Sequence, residues 1–374
     1  MRKNLLMILI LAMLLPCCAA ASEAVAFEGK AAVLIDAASG RILLGVNENE
    51  MLPGASCTKI MTALLALEHS ALDETVTTGP NAAGVTSTSL YLSKGETLTM
   101  EQMLYGLMLR SGNDAAVAVA EHVAGSVSAF AEMANARAKE LNADANFVNP
   151  HGLDADGHKA SALGLARIMR EAMRNPTFRM ITGTKRKVIP WVGNEYSRVL
   201  ENKNRLLTSY EGANGGKTGY TRAAGRCLVF SAERDGLKLI GVVLGCPTWF
   251  DTAEAMLDYG FSNFRARTVL GAGEPAGVTP VSGGARQNLA VVAGAPLSAA
   301  LPVDALFSLR YEYDSPAAPI RKGETVGRAL LICEGETVAS CPLVAAEDVA
   351  EWNFGEALRS VLRNWLFRLG EYAS

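Results

Sequence analysis

The sequence has little net charge and few charged residues. Lysine and arginine number 35 against 38 aspartate and glutamate, the formal net charge is -3, and charged residues make up 20% of the 374. Binding to nucleic acid needs a basic excess and a solvating tail needs an acidic run, so neither class is indicated. The hydrophobic fraction of 49% indicates a well-buried core, and the length indicates two domains with short appendages.

Histidine is scarce, and the pattern of histidines excludes a metal site. The four residues, His69, His122, His151 and His158, lack the regular spacing and the cysteine or carboxylate companions that a zinc site needs. We therefore expect no metal and no cofactor. His151 lies within Asn149-Pro150-His151-Gly152-Leu153-Asp154, and we interpret it as structural rather than catalytic.

Cysteines are too few and too irregularly spaced to form a disulfide framework. Two of the seven lie near the N-terminus, which leaves the odd set Cys57, Cys227, Cys246, Cys333 and Cys341. A hairpin turn over residues 334–336 would place Cys341 opposite a residue near position 329, and not opposite Cys333. We expect all five to be free or buried thiols.

No apolar run reaches the roughly 20 residues that a transmembrane helix requires. The apolar run at residues 5–15 follows Arg2 and Lys3 and precedes small residues, a pattern typical of an export signal. We expect a signal peptide over residues 1–26, with cleavage after Ala21 or Ala26. The rest of the chain would then act outside the cytoplasm, peripheral to the outer face of the cytoplasmic membrane or free of it.

The order of apolar segments predicts an α+β first domain over residues 27–265. Two strands with a turn between them are expected over residues 33–46, then a buried helix over 56–69, and a second strand hairpin over 227–244. Further helices are expected over residues 100–109, 114–123, 128–141 and 161–173. A hairpin at each end of a helical stretch indicates one antiparallel sheet covered by helices.

The composition changes near residue 265. Residues 271–286 are rich in glycine, proline and alanine, and short strands are predicted after them, at 289–292, 306–313 and 329–333. We therefore predict a small all-β domain over residues 269–345.

Residues 350–374 have the pattern of an amphipathic helix. Leu358, Leu362 and Trp365 share one helical face, and Arg359 and Arg363 lie on another. A basic amphipathic helix with tryptophan on its apolar face suits a membrane surface, and the same pattern suits a helix docked on its own domain. The charged residues exclude a transmembrane helix.

Three short motifs occur in order along the chain: Ser56-Cys57-Thr58-Lys59, Ser111-Gly112-Asn113 and Lys217-Thr218-Gly219. Residues 56 and 59 lie one helical turn apart, so the amine can take the hydroxyl proton and make the serine nucleophilic. That requires a neutral amine, and both burial and the charge of Lys217 would lower the Lys59 pKa.

The second motif is suited to protonating the leaving group and positioning the substrate. Ser111 can relay a proton towards the departing amine, and Asn113 can bond both Lys59 and a substrate amide. The Ser56 N–H, at the start of a helix, is one expected oxyanion donor.

The third motif suits the binding of a peptide end. Residues 217–219 are expected to open a strand whose edge can pair with a peptide, and Gly219 lets the substrate backbone approach closely. Lys217 offers a positive charge for a terminal carboxylate, and Thr218 is expected to bind the substrate beside it. The N–H of Tyr220 is the expected second oxyanion donor.

Each motif taken alone has a simpler interpretation. Ser56 could cap a helix, the second motif could be a loop and a cap, and the third could be a turn into a strand. Their joint occurrence in this order favours an active site.

The motif set resembles that of β-lactamases and penicillin-binding proteins. Residues 27–262 further resemble the D-alanyl-D-alanine carboxypeptidases, the low-molecular-mass penicillin-binding proteins. The matching segments are Gly106-Leu107-Met108-Leu109, Ser111-Gly112-Asn113-Asp114-Ala115-Ala116, Asn149-Pro150-His151-Gly152-Leu153 and Gly216-Lys217-Thr218-Gly219-Tyr220-Thr221.

The resemblance implies a serine acyl-enzyme that removes the terminal D-alanine from peptidoglycan stem peptides ending in D-Ala-D-Ala and that β-lactam antibiotics inactivate. It also implies a β-lactamase/transpeptidase-like fold, a small β-domain and a membrane-associated C-terminal helix. The chain departs from the family at Ser161-Ala162-Leu163-Gly164, which lacks a common Tyr-Asp pair, and at Gly215-Gly216, where a bulkier residue is common before the lysine.

Two other functions remain to be tested. A class A β-lactamase shares the motifs and needs a glutamate for deacylation, for which Glu140 is the candidate by position. A non-catalytic envelope protein that only binds wall peptide is the second, and the intact Ser56, Lys59 and Lys217 argue against it.

Overall fold

The computed structural model describes residues 25–352 together with Phe354, Gly355 and Leu358. The predicted signal peptide lies outside the described residues except for its last two positions. The predicted C-terminal helix lies almost entirely outside them as well. In the part of the chain that is described, no helix is both long and apolar enough to cross a membrane.

The helices and strands follow in chain order. The helices within residues 25–352 are α1 (Lys59–His69), α2 (Pro80–Ala83), α3 (Met100–Tyr105), α4 (Asn113–Ala124), α5 (Val127–Glu140), α6 (Ala162–Ala172), α7 (Pro176–Gly183), α8 (Leu206–Ser209) and α9 (Trp249–Asn263). The strands are β1 (Ala31–Asp36), β2 (Ile42–Val46), β3 (Thr75–Thr77), β4 (Thr97–Thr99), β5 (Ala145–Asn146), β6 (Lys159–Ala160), β7 (Arg186–Ile189), β8 (Arg198–Glu201), β9 (Ala213–Thr221), β10 (Gly225–Arg234), β11 (Leu237–Leu244), β12 (Phe264–Leu270), β13 (Pro275–Pro280), β14 (Asn288–Ala293), β15 (Leu297–Pro302), β16 (Phe307–Tyr313), β17 (Thr325–Cys333) and β18 (Glu336–Ala345).

A five-stranded antiparallel sheet organises the first domain, in the order β2-β1-β11-β10-β9. Strand β1 pairs with β11 from Ala31 opposite Leu244 to Asp36 opposite Leu239, so the two ends of the domain complete one sheet. Every residue of β1 is buried, because helices cover both faces. The predicted α+β fold, with a sheet assembled from two distant hairpins, is confirmed.

The helices divide between the two faces of this sheet. Alternate residues of β1 belong to different cores: Val33 and Ile35 pack with α1, α4 and α6, whereas Ala32 and Leu34 pack with α9. Helix α1 is the centre of the first core, and eight of its eleven residues are buried, as its all-round apolar pattern predicts. The nucleophile motif therefore leads into a helix that is largely buried.

The second domain is all-β. Its main sheet runs β13-β14-β18-β17-β16, beside a pair formed by β12 and β15. No strand was predicted within the glycine- and proline-rich residues 271–286, and β13 lies there. This strand lies at a sheet edge, where a missing N–H is tolerated, and prolines stand at both of its ends. Strand β15 was also not predicted.

The two domains are joined by strand β12 and by a buried carboxylate. Strand β12 spans the interval between residues 265 and 269, where the sequence pattern placed the domain boundary; that boundary remains a prediction. Asp36 is 1% exposed, and its carboxylate accepts hydrogen bonds from the Ser39 hydroxyl at 2.6 Å and from the Ala300 N–H at 3.0 Å. Ala300 belongs to β15, so this contact crosses from one domain to the other.

The five cysteines of the described chain are all free and buried, as predicted. In the hairpin of β17 and β18, Cys341 lies opposite Ala329 and Cys333 lies opposite Glu336. The register argument made from the turn is therefore confirmed.

Candidate active site

Ser56 lies in a single 3-10 turn, Ala55–Thr58, that leads directly into α1. The sequence pattern placed Ser56 on the α-helix itself, and the structure winds this first turn more tightly. Ala55 has φ of +46°, and the Ala55 carbonyl lies against Gly152, where an added Cβ would come within 1.9 Å of the oxygen. The turn thus depends on a glycine in a segment nearly a hundred residues further along the chain.

The Lys59 amine makes three contacts in a fully buried site. Its Nζ lies 3.0 Å from Ser56 Oγ, 2.7 Å from Asn113 Oδ1 and 2.6 Å from the His151 carbonyl oxygen. A neutral amine has two N–H groups and one lone pair. Because the Asn113 and His151 oxygens are pure acceptors here, they take the two protons and leave the lone pair for the Ser56 hydroxyl.

The surroundings of Lys59 favour the neutral amine. Burial lowers the pKa of Lys59 well below its usual value, and the positive charges of Lys217 and Lys203 lower it further. Burial and Lys217 are the two causes expected from the sequence. Lys203 belongs to none of the three motifs and was missed, since no sequence pattern indicates that it approaches the site.

The His151 carbonyl is a second group that sequence reasoning missed. Its segment is anchored beside the nucleophile by a hydrogen bond of 2.6 Å from the Thr62 hydroxyl to the Pro150 carbonyl. The His151 imidazole accepts from the Leu153 N–H at 3.1 Å, and burial, with help from Lys59, lowers its pKa to about 3. The side chain is thus neutral and engaged with its own loop, which agrees with a structural role, while the main chain orients the amine.

His158 ties the same segment to the nucleophile motif. Its Nδ1 accepts from the Val148 N–H at 3.0 Å, so its Nε2 carries the proton and donates to the Thr58 hydroxyl at 2.9 Å. Burial lowers the His158 pKa to about 4, which keeps this neutral tautomer at physiological pH.

The second motif follows a π-helical turn, Gly106–Arg110. Ser111 has φ of +69°, a left-handed conformation that is costly for a residue with a Cβ and that occurs often at functional sites. Asn113 then begins α4, and its N–H donates to the Thr88 carbonyl at 2.8 Å. The Asn113 amide also donates to the Thr86 carbonyl at 3.3 Å, so the loop before the motif orients this side chain.

Two buried charged residues hold that loop from opposite sides. Asp114 accepts from the N–H groups of Leu90 and Leu92 at 2.9 and 3.0 Å, and Arg198 donates to the Leu90 carbonyl at 2.8 Å. Arg198 also pairs with Glu96 at 2.6 Å. Neither Arg198 nor the role of Asp114 was predicted, because the contacts depend on tertiary structure.

The third motif lies in the middle of β9, four residues after the strand begins. The expectation that Lys217 opens the strand was therefore wrong, because Ala213 to Gly216 already pair with β10. Strand β9 is at the edge of the sheet, where an extended peptide can add. A Cβ on Gly219 would come within 2.9 Å of the Gly54 carbonyl, so only glycine allows the strand to pass this close to the nucleophile turn.

Successive residues of β9 face opposite sides. Gly219 faces the nucleophile turn, Ala55–Thr58, and Tyr220 is 64% exposed on the other side. Lys217 is 1% exposed, and its Nζ donates to the Thr218 carbonyl at 2.9 Å. Burial is the main reason that its pKa falls to about 7. Cys57 packs beneath it, with its thiol 3.5 Å from the Lys217 carbonyl, and burial raises the Cys57 pKa, so this thiol stays neutral.

The structure thus brings Ser56, Lys59, Asn113 and Lys217 together, with Ser111, Thr218, Gly219 and Tyr220 adjacent to them in the chain. Among the described residues there is no cluster of three or more histidine, cysteine or carboxylate side chains that could hold a metal ion. The arrangement contains a hydroxyl with an adjacent base, a free strand edge and a buried cation.

Comparisons with known families agree with this geometry. Residues 18–248 match the D-alanyl-D-alanine carboxypeptidase family of S11 peptidases, and residues 264–351 match the C-terminal domain of penicillin-binding protein 5. The chain is 34% identical to the D-alanyl-D-alanine carboxypeptidase DacF of Bacillus subtilis over 355 residues, which is 91% of this chain and 90% of that protein.

Solved structures show the same likeness. The structure is similar to penicillin-binding protein 5 from Haemophilus influenzae, with a TM-score of 0.76, 30% identity and coverage of 87% of this chain and 98% of that one. It is also similar to a D-alanyl-D-alanine carboxypeptidase from Mycobacterium tuberculosis, with a TM-score of 0.60, 33% identity and coverage of 63% and 91%. The chain belongs to the D-alanyl-D-alanine carboxypeptidase family of serine peptidases.

Proposed function

We propose that this chain removes the terminal D-alanine from peptidoglycan stem peptides ending in D-Ala-D-Ala, through an acyl-enzyme on Ser56. The observation that carries the proposal is the environment of Lys59. Two carbonyl oxygens lie where they accept the two protons of its neutral amine, which leaves the lone pair for the Ser56 hydroxyl, 3.0 Å from Nζ.

Acylation begins when the Lys59 amine takes the Ser56 proton and Oγ attacks the carbonyl carbon of the penultimate D-alanine. The developing oxyanion is stabilised by the N–H groups of Ser56 and Tyr220. The C–N bond then breaks, and the departing amine of D-alanine receives a proton through Ser111.

Substrate binding uses the free edge of β9. The peptide adds alongside Gly219, and its terminal carboxylate is held by Lys217 and the Thr218 hydroxyl. The Asn113 amide bonds the substrate on the opposite side of the cleft. Deacylation follows when a water molecule, deprotonated by Lys59, attacks the ester and restores Ser56.

β-Lactam antibiotics are the proposed inhibitors. Their reactive amide presents the same carbonyl to Ser56 and a carboxylate to Lys217, and ring opening leaves an ester without releasing a fragment. The family name of the C-terminal domain, penicillin-binding protein 5, is consistent with this reactivity.

The substrate lies outside the cytoplasmic membrane, so the function requires an exported chain. We propose that residues 1–26 direct export and that the segment after residue 350 contacts the outer face of that membrane. Trp352 is 50% exposed and Phe354 is 83% exposed, which leaves large apolar side chains available where this segment begins.

The environment of Glu140 argues against the β-lactamase alternative. Glu140 is the last residue of α5, has a 65% exposed side chain, and pairs with Arg137 at 3.0 Å. It makes no contact with Lys59 or Ser56. A water-activating glutamate of the β-lactamase kind is therefore not supplied by this residue.

The proposal is tested by incubating the mature chain with an acylated tripeptide ending in D-Ala-D-Ala and measuring free D-alanine. We expect release of one D-alanine per peptide, loss of release in Ser56→Ala, and covalent labelling by a fluorescent penicillin that the same substitution abolishes. Rapid turnover of penicillin without D-alanine release would favour the β-lactamase. Binding of the peptide with no release and no labelling would favour the non-catalytic alternative.

A further inference from the structure

Two glycines from distant parts of the chain approach the nitrogen of Ser56. A Cβ added to Gly152 would lie 3.0 Å from this nitrogen, and a Cβ added to Gly219 would also lie 3.0 Å from it. Gly152 belongs to the loop whose carbonyl group orients the base, and Gly219 belongs to β9. The Ser56 N–H, one of the two oxyanion donors proposed above, is therefore in close contact with both segments.

A hydrogen bond joins the same two segments a little further along the chain. The Thr221 hydroxyl donates to the Asp154 carboxylate at 2.7 Å. The direction of this bond is fixed, because a carboxylate only accepts and because the hydroxyl oxygen itself accepts from the Ala224 N–H at 3.0 Å. Asp154 follows Gly152 by two residues, and Thr221 follows Gly219 by two. The bond thus connects the two segments that contact the nucleophile turn.

The loop on the Asp154 side is stiffened by its own hydrogen bonds. The Asn149 side chain accepts from the Gly152 N–H at 2.7 Å and donates to the Leu153 carbonyl at 3.0 Å. A displacement of Asp154 is therefore transmitted to Gly152, and through Gly152 to the nucleophile turn.

The second oxyanion donor lies on the other segment, next to Thr221. The N–H and carbonyl of Gly216 both bond the Thr182 hydroxyl of α7, so they point away from β10. Main-chain groups of an antiparallel strand alternate in direction, and the pairing of β9 with β10 runs without a shift from Gly216 to Thr221. The N–H of Tyr220, four residues after Gly216, therefore faces the free edge of β9, where the substrate is proposed to bind.

We propose that Asp154 is a positioning residue of the oxyanion hole, which acts through Thr221 to fix the separation of the Ser56 and Tyr220 N–H groups. The inference rests on the proposed function, in which these two groups stabilise the oxyanion. Donors of this kind act on charge that develops in the transition state, and their effect depends on their position before the reaction. Loss of the bond should therefore slow the chemical step and leave substrate binding nearly unchanged.

The same bond contributes little to the stability of the fold. Asp154 is exposed and Thr221 is half-buried, so water competes for both groups. A structural role and a positioning role consequently predict different results, because only the second lowers the rate in a protein that unfolds at the same temperature.

The first experiment removes the bond from either side in the full mature chain. We expect Asp154→Ala and Thr221→Val each to lower kcat for D-alanine release and the rate of penicillin acylation by about tenfold, with KM and Tm close to wild type. The double variant should lose no more than either single variant, because both remove one bond. Asp154→Asn keeps an acceptor and Thr221→Ser keeps the hydroxyl, so both should retain most of the rate.

A peptide boronic acid tests the oxyanion hole directly. Its boron forms a tetrahedral adduct with the Ser56 oxygen and resembles the transition state, so its affinity should fall in Asp154→Ala by about the same factor as kcat. The matched control is Asp156→Ala, which removes an exposed carboxylate two residues further along the same loop. It should leave kcat and the affinity for the boronic acid as in the wild type.

A wild-type kcat in Asp154→Ala, with D-Ala-D-Ala still hydrolysed, overturns the inference and leaves the proposed function intact. Losses that add in the double variant, or that Asp156→Ala shares, overturn it as well. Should Asp154→Ala fail to fold, Thr221→Val and Thr221→Ser decide the question, and equal rates for these two overturn the inference. A wild-type protein that releases no D-alanine and binds no penicillin overturns the proposed function and the inference with it.

Discussion

Arg198 and Glu96 form an ion pair of 2.6 Å in which both side chains are almost inaccessible, at 4% and 3% exposure. Arg198 also donates to the carbonyls of Leu90, Tyr91 and Pro190, so one guanidinium fastens the loop that orients Asn113 to the hairpin of β7 and β8. The pair lies outside all three motifs, yet it acts on one of them through the loop.

Removing the guanidinium should therefore affect both stability and catalysis. Breaking a buried ion pair from one side costs about 3–5 kcal/mol, because the other charge is left uncompensated. We expect Arg198→Gln to lower Tm and to slow acylation by penicillin. The measurement is thermal unfolding together with the acylation rate, well below the new Tm. Arg198→Lys should recover little, because an ammonium cannot reach several carbonyls at once. An unchanged acylation rate in a destabilised Arg198→Gln protein would show that the loop does not orient Asn113.

Asn113→Asp tests the charge state of Lys59. A carboxylate 2.7 Å from Nζ would favour the ammonium form, so the Lys59 pKa should rise and the fraction of neutral amine at pH 7 should fall. We expect slower acylation at neutral pH and a pH profile whose acidic limb moves to higher pH. The measurement is the penicillin acylation rate against pH. Asn113→Ala is the control: it loses an acceptor without adding charge, so it should slow the reaction without that displacement. Equal profiles for the two variants would contradict the lone-pair argument.

The Lys217 pKa of about 7 predicts an alkaline limb for the binding of anionic substrates. Below that pH the amine is charged and attracts the terminal carboxylate, and above it the charge is lost, so kcat/KM for D-Ala-D-Ala peptides should fall as pH rises through this range. Lys217→Arg provides the control, because a guanidinium keeps its charge above pH 12. We expect the limb to disappear in the arginine variant, whatever its absolute rate, in a steady-state pH series. A limb that stays in place would assign the titration to another group.

Gly152→Ala should displace the nucleophile turn. An added Cβ would come within 1.9 Å of the Ala55 carbonyl oxygen, and φ of +86° is itself unfavourable for alanine. Gly236→Ala is a matched control, with φ of +78° and no atom within 4 Å of the added Cβ, so it carries the backbone cost alone, on the order of 1 kcal/mol. We expect the first variant to lose penicillin labelling and the second to keep it, as judged by gel fluorescence of folded protein. Full labelling of Gly152→Ala would mean that the contact is easily relieved.

The sequence predicted those helices and strands whose residues show a pattern of apolar side chains and turn residues within the segment itself. The buried helix α1 shows its apolar residues all round, and the hairpin of β10 and β11 shows two apolar runs joined by an Asp-Gly turn. Strand β13 was missed because its glycine and prolines resemble a loop, and only its position at a sheet edge makes them acceptable.

The same distinction applies to the site. Ser56 and Lys59 are neighbours on one turn, so their contact follows from spacing alone. The His151 carbonyl acts through the course of its main chain, whereas Lys203 and Arg198 are brought close by contacts between distant segments. Residue spacing in the sequence predicts neither kind of contact. His151 lies in a segment that resembles the family, and the sequence analysis considered only its imidazole. The group that contacts the Lys59 amine is the His151 carbonyl oxygen.

The pairing of β1 with β11 determines when the enzyme can first become active. A ribosome makes Ser56 and Lys59 early, but the sheet that supports them needs strands made almost two hundred residues later. Such non-local pairing makes folding slow and late, because the entropy of closing a long loop is lost before the stabilising contacts form. Shortened chains that end before β11 therefore carry the nucleophile and base without the sheet that supports them, and we expect them to bind no penicillin.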